Sequence, residues 1–295
     1  MAGKPLKKVV VEAPVKLNLA LDIIGLSANG YHEVDMIMQA VGLYERVEVI
    51  RSMGYALRCP GSPVPANDKN TATKVAEAFF RETGLLAGAD ITLHKRVPTR
   101  AGLGGGSADA AGVLVALNAM YSARLSLQEM CKIGLAAGSD VPFSLMGGTA
   151  RARGIGEKLS ALPALPPCWF TIAMPEKGVS TPLAYKRYDE LGSPVHPDMP
   201  ALLSSLKAGE LARFAGGMKN ALEHASGGDT TTQIKQLFME QGALGAMMTG
   251  SGAAVFGLFP EKGPAQNAAE RLRNRVPHVF LAPPVQTGPR VVESY

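Results

Sequence analysis

The sequence predicts an α+β protein built from two domains. Segments in which apolar and polar residues alternate, as they do in strands, are mixed with helical patterns and do not form a regular βαβ array. A proline cluster, LPALPPC at residues 162–168, separates two patterned regions, and 295 residues suffice for two domains of ordinary size. We therefore predict an N-terminal domain over residues 1–161 and a C-terminal domain over residues 162–295.

The first patterned segment predicts a strand that carries two polar side chains on one face. Every second residue from Val15 to Leu21 is valine or leucine, and Lys16 and Asn18 fall between them. Because successive side chains of a strand point to opposite faces, Lys16 and Asn18 share a face. The dipeptide Asn29-Gly30 then signals a tight turn, and extended stretches follow between residues 36 and 50.

The middle of the chain predicts a glycine-rich turn between a short strand and a helix. The string GLGGGS at residues 102–107 lies between a strand at 90–95 and a helix predicted over 107–121. Glycine lacks a Cβ, so the backbone can approach a ligand closely, and the helix N-terminus adds unpaired N–H groups and the positive end of its dipole. Together they predict an anion site suited to phosphates, in which Ser107 either caps the helix or contacts a phosphate oxygen or its metal.

The remaining segments complete the expected mixture of helices and strands. Ser126 and Glu129 form a capping box that begins a helix, and Gly138 is expected to end it. Further elements are predicted as a helix at 70–80, a strand at 169–174, helical patterns within 182–240, a strand–turn–strand at 246–259, a helix at 264–275 and a final strand at 279–282.

Composition excludes several classes of protein. Charged residues make up 19% of the chain, too few for a charge-rich disordered protein, and the basic residues behind the net charge of +5 are scattered, which suits anionic metabolites better than nucleic acid. No apolar run approaches the ~18 residues that span a bilayer, and the N-terminus lacks the apolar core of a signal peptide. The widely spaced Cys59, Cys131 and Cys168 indicate reduced thiols. We expect a cytoplasmic protein, monomeric or homodimeric, with no nucleic-acid or membrane partner.

Three motifs, in order along the chain, resemble those of a known enzyme family. The string VPTRAGLGGGSADAAGVLVALN at residues 97–118 resembles the phosphate-binding motif of the GHMP small-molecule kinases, and APVKLNLAL at 13–21 and MTGSGAAVF at 248–256 resemble two further motifs of that family. The resemblance implies a two-domain GHMP-kinase-like fold with the active site in the cleft between the domains. It also implies that ATP donates a phosphoryl group to a small alcohol and that Mg²⁺ bridges the phosphates, with no protein ligand of the metal assigned.

Three shorter strings narrow the resemblance within the family. NGYHEV at residues 29–34, GSDVPF at 138–143 and GGTARARGIGE at 147–157 are similar to the members that phosphorylate the 2-hydroxyl of a methylerythritol joined to cytidine diphosphate, in the non-mevalonate isoprenoid pathway. Two alternatives stay open: a GHMP kinase for another small alcohol, such as homoserine or mevalonate, and a non-catalytic nucleotide or metabolite sensor on the same fold. Tyr31-His32 argues against the first, since a kinase with no cytosine to bind has no need of that pair. Retention of both catalytic candidates named below argues against the second.

The resemblance implies a role for each candidate residue. Asp140 is expected to act as the base that takes the proton from the acceptor hydroxyl, with Lys16 beside it to stabilise the developing alkoxide. Tyr31 is expected to stack on the cytosine and His32 to hydrogen-bond its edge. The cofactor-binding candidates are Pro98, Gly102, Leu103, Gly104, Gly105, Gly106, Ser107, Ala108, Lys95 and Asn70, and the substrate-binding candidates are Asn18, Tyr31, His32, Thr181 and Tyr185.

Overall fold

Two β-sheets packed against helices make up the fold, which confirms the predicted α+β class. The structure is a computed structural model and describes residues 6–27, 30–191 and 195–295. Asn29 of the predicted Asn29-Gly30 turn therefore lies outside the described residues.

The described elements alternate between strands and helices along the chain. The strands are β1 (Lys8–Leu26), β2 (His32–Ser52), β3 (Tyr55–Arg58), β4 (Gly88–His94), β5 (Thr149–Gly154), β6 (Lys158–Ala161), β7 (Trp169–Met174), β8 (Gly245–Met248), β9 (Val255–Phe259), β10 (His278–Ala282) and β11 (Arg290–Ser294). The helices are α1 (Thr71–Thr83), α2 (Gly105–Tyr121), α3 (Leu127–Ala137), α4 (Val141–Met146), α5 (Thr181–Leu191), α6 (Met199–Ala208), α7 (Leu211–Gly217), α8 (Glu223–Ser226), α9 (Asp229–Glu240) and α10 (Lys262–Leu272).

Strands β1 and β2 form the long antiparallel hairpin on which the first sheet is built. They pair along nearly their whole length, and register shifts beside Val15, Asn18 and Ile23 mark irregularities of the bulge type. A bulge bends a strand and interrupts the strict alternation of its side chains. This is why stretches that the sequence pattern separates are continuous strands in the structure.

The first sheet also contains the end of the described chain. Its order is β11-β1-β2-β4-β3, and β2 is long enough to pair with β5 as well, which in turn pairs with β6. The prediction that residues 279–282 form the final strand is wrong, because residues 290–294 return to pair with β1. The division of the chain at residues 161 and 162 stays a prediction, but β11 lies in the sheet formed by the N-terminal half.

The second sheet is antiparallel and has the order β10-β7-β9-β8. Strand β7 has the bounds that the sequence predicts, and the predicted strand–turn–strand is β8, a loop at residues 249–254, and β9. Helices α9 and α10 cover one face of this sheet through Phe238 and Leu272, which pack with Phe259 of β9. The loop that connects β8 and β9 is thereby attached to a strand that is packed in a hydrophobic core.

One hydrophobic core joins the two sheets. It contains Leu17 and Leu19 of β1, Phe170 of β7 and Phe256 of β9, all fully buried. Burying each of these side chains contributes roughly 1.5–3 kcal/mol. Since β1 presents leucines to this core, the alternate side chains of the same strand, Lys16 among them, are held at a fixed place relative to the second sheet.

Helix α3 and the cysteines agree with the sequence-based expectations. Ser126 and Glu129 form the capping box of α3, and Gly138 is its C-cap. All three cysteines are free thiols, and burial raises the pKa of each, that of Cys168 to about 12. Within residues 6–27, 30–191 and 195–295, no helix is both long and apolar enough to cross a membrane.

Replacing Gly288 by alanine should destabilise the fold, because a Cβ at this position would lie 2.1 Å from the carbonyl oxygen of Leu145 in α4. Overpacking of this kind costs about 1–3 kcal/mol, so we expect Gly288→Ala to lower the midpoint of thermal unfolding in scanning fluorimetry. Gly54→Ala is the matched control, since a Cβ there meets nothing within 4 Å. Equal midpoints for the two variants would show that the segment leading into β11 does not dock on α4.

Candidate active site

A cavity of about 1300 Å³ lies where the two sheets meet. Its walls come from β1, β2, the glycine loop at residues 102–106, the start of α5 and the loop after β8. Residues from both halves of the chain therefore face the same space.

Most of the predicted site residues line this cavity, and two do not. Helix α2 begins at Gly105 with Gly104 as its N-cap, so Ser107 lies inside the first turn and the prediction that it caps the helix is wrong. Ala108 is fully buried in the core, and its N–H donates to the carbonyl oxygen of Gly104 at 2.9 Å. The predicted residues that do line the cavity are Lys16, Asn18, Tyr31, His32, Asn70, Lys95, Pro98, Gly102, Leu103, Gly104, Gly105, Gly106, Asp140, Thr181 and Tyr185.

Lys16 and Asp140 lie side by side at the floor of the cavity. The Lys16 Nζ is 3.6 Å from the Asp140 Oδ2 and 2.5 Å from the Asn18 Oδ1. Lys16 is buried, whereas the Asp140 side chain keeps 29% of its surface exposed. The arrangement confirms that Lys16 and Asn18 share a face of β1, and it leaves the carboxylate open to a ligand while the ammonium orients it.

The glycine loop packs directly on β1. The N–H of Lys16 donates to the carbonyl oxygen of Leu103 at 3.0 Å, and a Cβ on Gly104 would lie 2.9 Å from the Lys16 Cγ. Gly102 and Gly104 have φ of +76° and +69°, a left-handed backbone that favours glycine. The loop therefore brings the first turn of α2, with its unpaired N–H groups, next to the Lys16–Asp140 pair.

The loop after β8 is tied to both neighbours. Its Thr249 Oγ1 accepts from the Asn18 N–H at 2.9 Å, and the Ala254 N–H donates to the carbonyl oxygen of Ala101 at 3.1 Å. The buried Asn220 Nδ2 donates to the carbonyl oxygens of Met248 and Gly250, each at 2.8 Å. These bonds hold the loop in place beside the glycine loop.

Lys95 lies under the glycine loop in a buried ionic group with Glu45 and Asp109. Its Nζ is 2.5 Å from the Glu45 Oε1 and 2.6 Å from the Asp109 Oδ2, and the second Asp109 oxygen is buried without a hydrogen-bond partner among the described residues. Burial raises the pKa of Asp109 to about 7, although the Lys95 ammonium opposes the shift. Gly105 is confined by the same group, since a Cβ there would lie 2.9 Å from the Glu45 Oε1.

Asn70 has a structural task at the cavity wall. Its Oδ1 accepts from the Ala72 N–H at 2.9 Å and caps α1, and its Nδ2 donates to the carbonyl oxygen of Pro65 at 2.8 Å. The side chain thereby attaches the proline-rich loop at residues 60–69 to the start of the helix. The same loop contributes Pro63, Val64 and Pro65 to the cavity.

An aromatic group around His32 and Tyr185 forms part of the cavity wall. The His32 ring is stacked on Tyr185 with the centroids 4.7 Å apart, and Tyr188 meets it edge-on at 6.2 Å. Burial raises the pKa of Tyr185 to about 12, and the carboxylate of Asp140 adds to the shift. Tyr31 lines the cavity with 63% of its surface exposed. His32 and Tyr185 of this group thus line the same cavity as Lys16 and Asp140.

Several residues of the site are not predicted from the sequence. Glu45 and Asp109 hold Lys95, Thr249 and Asn220 hold the loop after β8, and Asp189 contacts His32 at 2.7 Å. Asp109 carries a usable signal, because it is a charged residue in the otherwise apolar and small-residue helix α2. The others come from segments far apart in the chain, where no local pattern points to a contact.

The family profiles and the similar proteins found by comparison agree with one another. Two family profiles match the chain, "GHMP kinases N terminal domain" over residues 70–148 and "GHMP kinases C terminal" over residues 202–278. The 4-diphosphocytidyl-2-C-methyl-D-erythritol kinase of Pelotomaculum thermopropionicum is 42% identical over 265 residues, which cover 88% of this chain and 92% of that protein. The protein of the same name from Lachnospira eligens is 38% identical over 261 residues, which cover 87% and 91%.

Solved structures agree at the level of the whole chain. The crystal structure of a 4-(cytidine 5'-diphospho)-2C-methyl-D-erythritol kinase matches with a TM-score of 0.78 at 33% identity, covering 93% of this chain and 98% of that one. A homoserine kinase from Cytophaga hutchinsonii matches with a TM-score of 0.80 over 99% of both chains. At 19% identity this second likeness is one of fold alone.

The buried Asp109 should make stability depend on pH. The pKa of Asp109 is raised in the folded state from an ordinary value of 3.8 to about 7. The buried carboxyl therefore favours the folded state at low pH, where it is uncharged, and this contribution to stability is lost as the pH rises through about 7. Each pKa unit corresponds to about 1.4 kcal/mol, which puts the effect on the order of a few kcal/mol. We expect Asp109→Asn, which stays neutral, to gain in unfolding midpoint over the wild type as the pH rises from about 4 to about 7.

Thermal unfolding at a series of pH values measures this difference. Asp68→Asn, in an exposed loop, is the control and should follow the wild type across the range. If Asp109→Asn also follows the wild type at every pH, Asp109 does not carry the buried charge that its contacts indicate.

Proposed function

The chain belongs to the GHMP kinase family, and we propose that it transfers the γ-phosphoryl group of ATP to the 2-hydroxyl of 4-diphosphocytidyl-2-C-methyl-D-erythritol, a step of the non-mevalonate isoprenoid pathway. The relatives named above support this substrate through their 38–42% identity over most of the chain. The observation that carries the proposal is that Lys16 and Asp140 share one cavity with the glycine loop and with the aromatic group around His32.

The glycine loop fits the triphosphate of ATP, the phosphoryl donor of GHMP kinases. Gly104 and Gly105 leave no room for a side chain, since a Cβ on either would collide with Lys16 or Glu45. The N-terminus of α2 lies at the same loop. Such a backbone cradle at a helix N-terminus favours anions through N–H groups and the helix dipole. The Lys16 ammonium adds a positive charge at the same place.

Mg²⁺ is included in the proposal as an ion carried by the nucleotide. Among the described residues, no three His, Cys, Asp or Glu side chains are grouped as a metal cage. Magnesium at phosphates needs only one or two carboxylates from the protein, so the phosphates would supply most of its ligands. Its chemistry there would be to neutralise phosphate charge.

The Lys16–Asp140 pair can remove the proton from the acceptor hydroxyl. Phosphoryl transfer asks the protein mainly for positioning and charge stabilisation, together with a group that accepts this proton. The half-exposed carboxylate of Asp140 supplies the acceptor, and the adjacent Lys16 ammonium stabilises the alkoxide that develops. Asn18 accepts a hydrogen bond from Lys16 and keeps the ammonium at the end of the glycine loop.

The far end of the cavity fits a cytosine base. Tyr31 lines the cavity with 63% of its surface exposed, where a ring can stack on a base, and His32 and Tyr185 line the same cavity. Thr181 also lines the cavity, with its Oγ1 2.8 Å from the Ser251 Oγ, where hydroxyl groups can hydrogen-bond a diphosphate. A nucleotide-linked sugar alcohol therefore has a contact for each of its parts.

The two alternatives leave different residues of the site without a role. A homoserine or mevalonate kinase shares the fold but has no base for Tyr31 and His32 to bind, and a sensor does not need the Lys16–Asp140 pair. The proposal also takes the cytoplasm as the location, since ATP and the charged substrate are metabolites of that compartment. Monomer or homodimer stays a prediction.

An ATP-consumption assay across three acceptors tests the proposed function. We expect turnover with 4-diphosphocytidyl-2-C-methyl-D-erythritol and little with homoserine or mevalonate, because only the first fills both ends of the cavity. Phosphorus NMR of the product should show a new phosphate monoester. Turnover of homoserine or mevalonate in place of the cytidine substrate would contradict the proposal.

Asp140→Asn should lower kcat by about 10²–10⁴-fold, the usual contribution of a general base. The amide keeps the shape of the side chain but cannot take the proton, so the Kd for ATP should stay within about twofold of the wild type. Steady-state kinetics and calorimetric titration with ATP measure the two quantities. A kcat close to that of the wild type would remove Asp140 from the role of base.

A further inference from the structure

His32 is held by three side chains of helix α5. Its Nε2 lies 2.7 Å from the Asp189 Oδ1, its ring is stacked on Tyr185 with the planes inclined by 30°, and Tyr188 meets it edge-on. The proposed function gives a task to His32 and Tyr185 and none to Asp189. A carboxylate against one ring nitrogen is a contact that selects the tautomer of a histidine.

We propose that Asp189 is a positioning residue that, through His32, makes the site select cytosine over uracil. The inference rests on the proposed function, since it concerns the base of the substrate named there. Beyond the proposed function, it assigns a role to a residue outside the cavity wall and explains how the site would distinguish two bases of nearly the same shape.

The first step of the argument is the tautomer. A carboxylate oxygen only accepts hydrogen bonds, so the Nε2 that faces Asp189 carries the hydrogen. In the neutral ring the other nitrogen, Nδ1, is then an acceptor. Without Asp189 the neutral imidazole is free to place its hydrogen on either nitrogen.

The second step is the direction in which the ring faces. His32 lines the cavity and Asp189 does not, so the edge of the ring that carries Nε2 faces α5. Among the described residues, no hydrogen bond engages Nδ1. Nδ1 is therefore the ring nitrogen left for a ligand, and the stack on Tyr185 sets the plane in which that ligand lies.

The third step is the chemistry of the bases. Cytosine presents an amino group, a hydrogen-bond donor, at the position where a uracil presents a carbonyl oxygen, as thymine does. An Nδ1 acceptor pairs with the amino group, whereas a uracil in the same register would set two acceptors against each other. A buried acceptor left without a donor lowers affinity, so the site discriminates by an unfavourable contact as well as a favourable one.

The test compares the cytidine substrate with its uridine counterpart, using the full chain and the variants Asp189→Ala, Asp189→Asn and Glu190→Gln. Glu190 is the matched control, because it is the next residue of α5 and its ion pair among the described residues is an exposed contact with Lys186 at 3.9 Å. We expect Asp189→Ala to raise the KM for the cytidine substrate by about tenfold, with kcat and the KM for ATP within about twofold of the wild type. The cytidine-to-uridine ratio of kcat/KM should fall by about tenfold, while Glu190→Gln keeps the wild-type ratio.

Asp189→Asn separates positioning from tautomer selection. Its amide can accept from Nε2–H or donate to a bare Nε2, so we expect it to restore the KM for the cytidine substrate more fully than the selectivity. Nitrogen-15 NMR of the imidazoles should show Nε2–H for His32 in the wild type and a mixture of tautomers in Asp189→Ala. A His32→Gln variant assigns the resonance.

The outcomes separate this inference from the function on which it rests. Unchanged selectivity in Asp189→Ala, or an Nδ1–H tautomer of His32 in the wild type, overturns the role of Asp189 and leaves the kinase assignment standing. Failure of the wild type to turn over the cytidine substrate overturns the proposed function, and the inference with it.

Discussion

The close approach of the glycine loop to β1 and to the loop after β8 is the contact on which the rest of the site depends. A Cβ on Gly104 would strike the stem of Lys16, and a Cβ on Gly102 would lie 2.1 Å from the carbonyl oxygen of Thr249. The same few backbone atoms therefore set the distance from the glycine loop to Lys16 and join the first sheet to the second. The glycine loop and Lys16 hold fixed positions relative to each other, because the Lys16 N–H donates to the carbonyl oxygen of Leu103.

The charges beneath the glycine loop bear on the proposed binding of phosphates above it. Two carboxylates, Glu45 and Asp109, share the single ammonium of Lys95 beneath the first turn of α2. An unneutralised carboxylate there would repel a triphosphate, since interactions between charges are strong where water is excluded. The upward shift in the pKa of Asp109 reduces that repulsion near neutral pH by favouring its uncharged form. The buried group thus supports the loop sterically without presenting two full negative charges to the ligand.

The sequence predicts those parts of the fold and site that depend on local pattern. Lys16 and Asn18 are correctly placed on one face because alternation is a property of neighbouring residues. The start of α2 is predicted two residues late, because glycines are poor helix formers and the local pattern gives no reason to begin a helix at Gly105. Asp189 reaches His32 across 157 positions of the chain, a separation at which no periodicity carries information. The comparisons with relatives show the family of this chain, but they give no information on such side-chain contacts.

The return of β11 to the first sheet has a consequence for the order in which the protein can be assembled. During synthesis the N-terminal half emerges first, and domains generally begin to fold as they emerge. Strand β1, which carries Lys16, nevertheless stays an unpaired edge on one side until residues 290–294 have been made. An exposed strand edge invites pairing with other chains. The first sheet therefore passes through a period on the ribosome in which its central functional strand is open to misassociation, and translation of the whole C-terminal half ends that period.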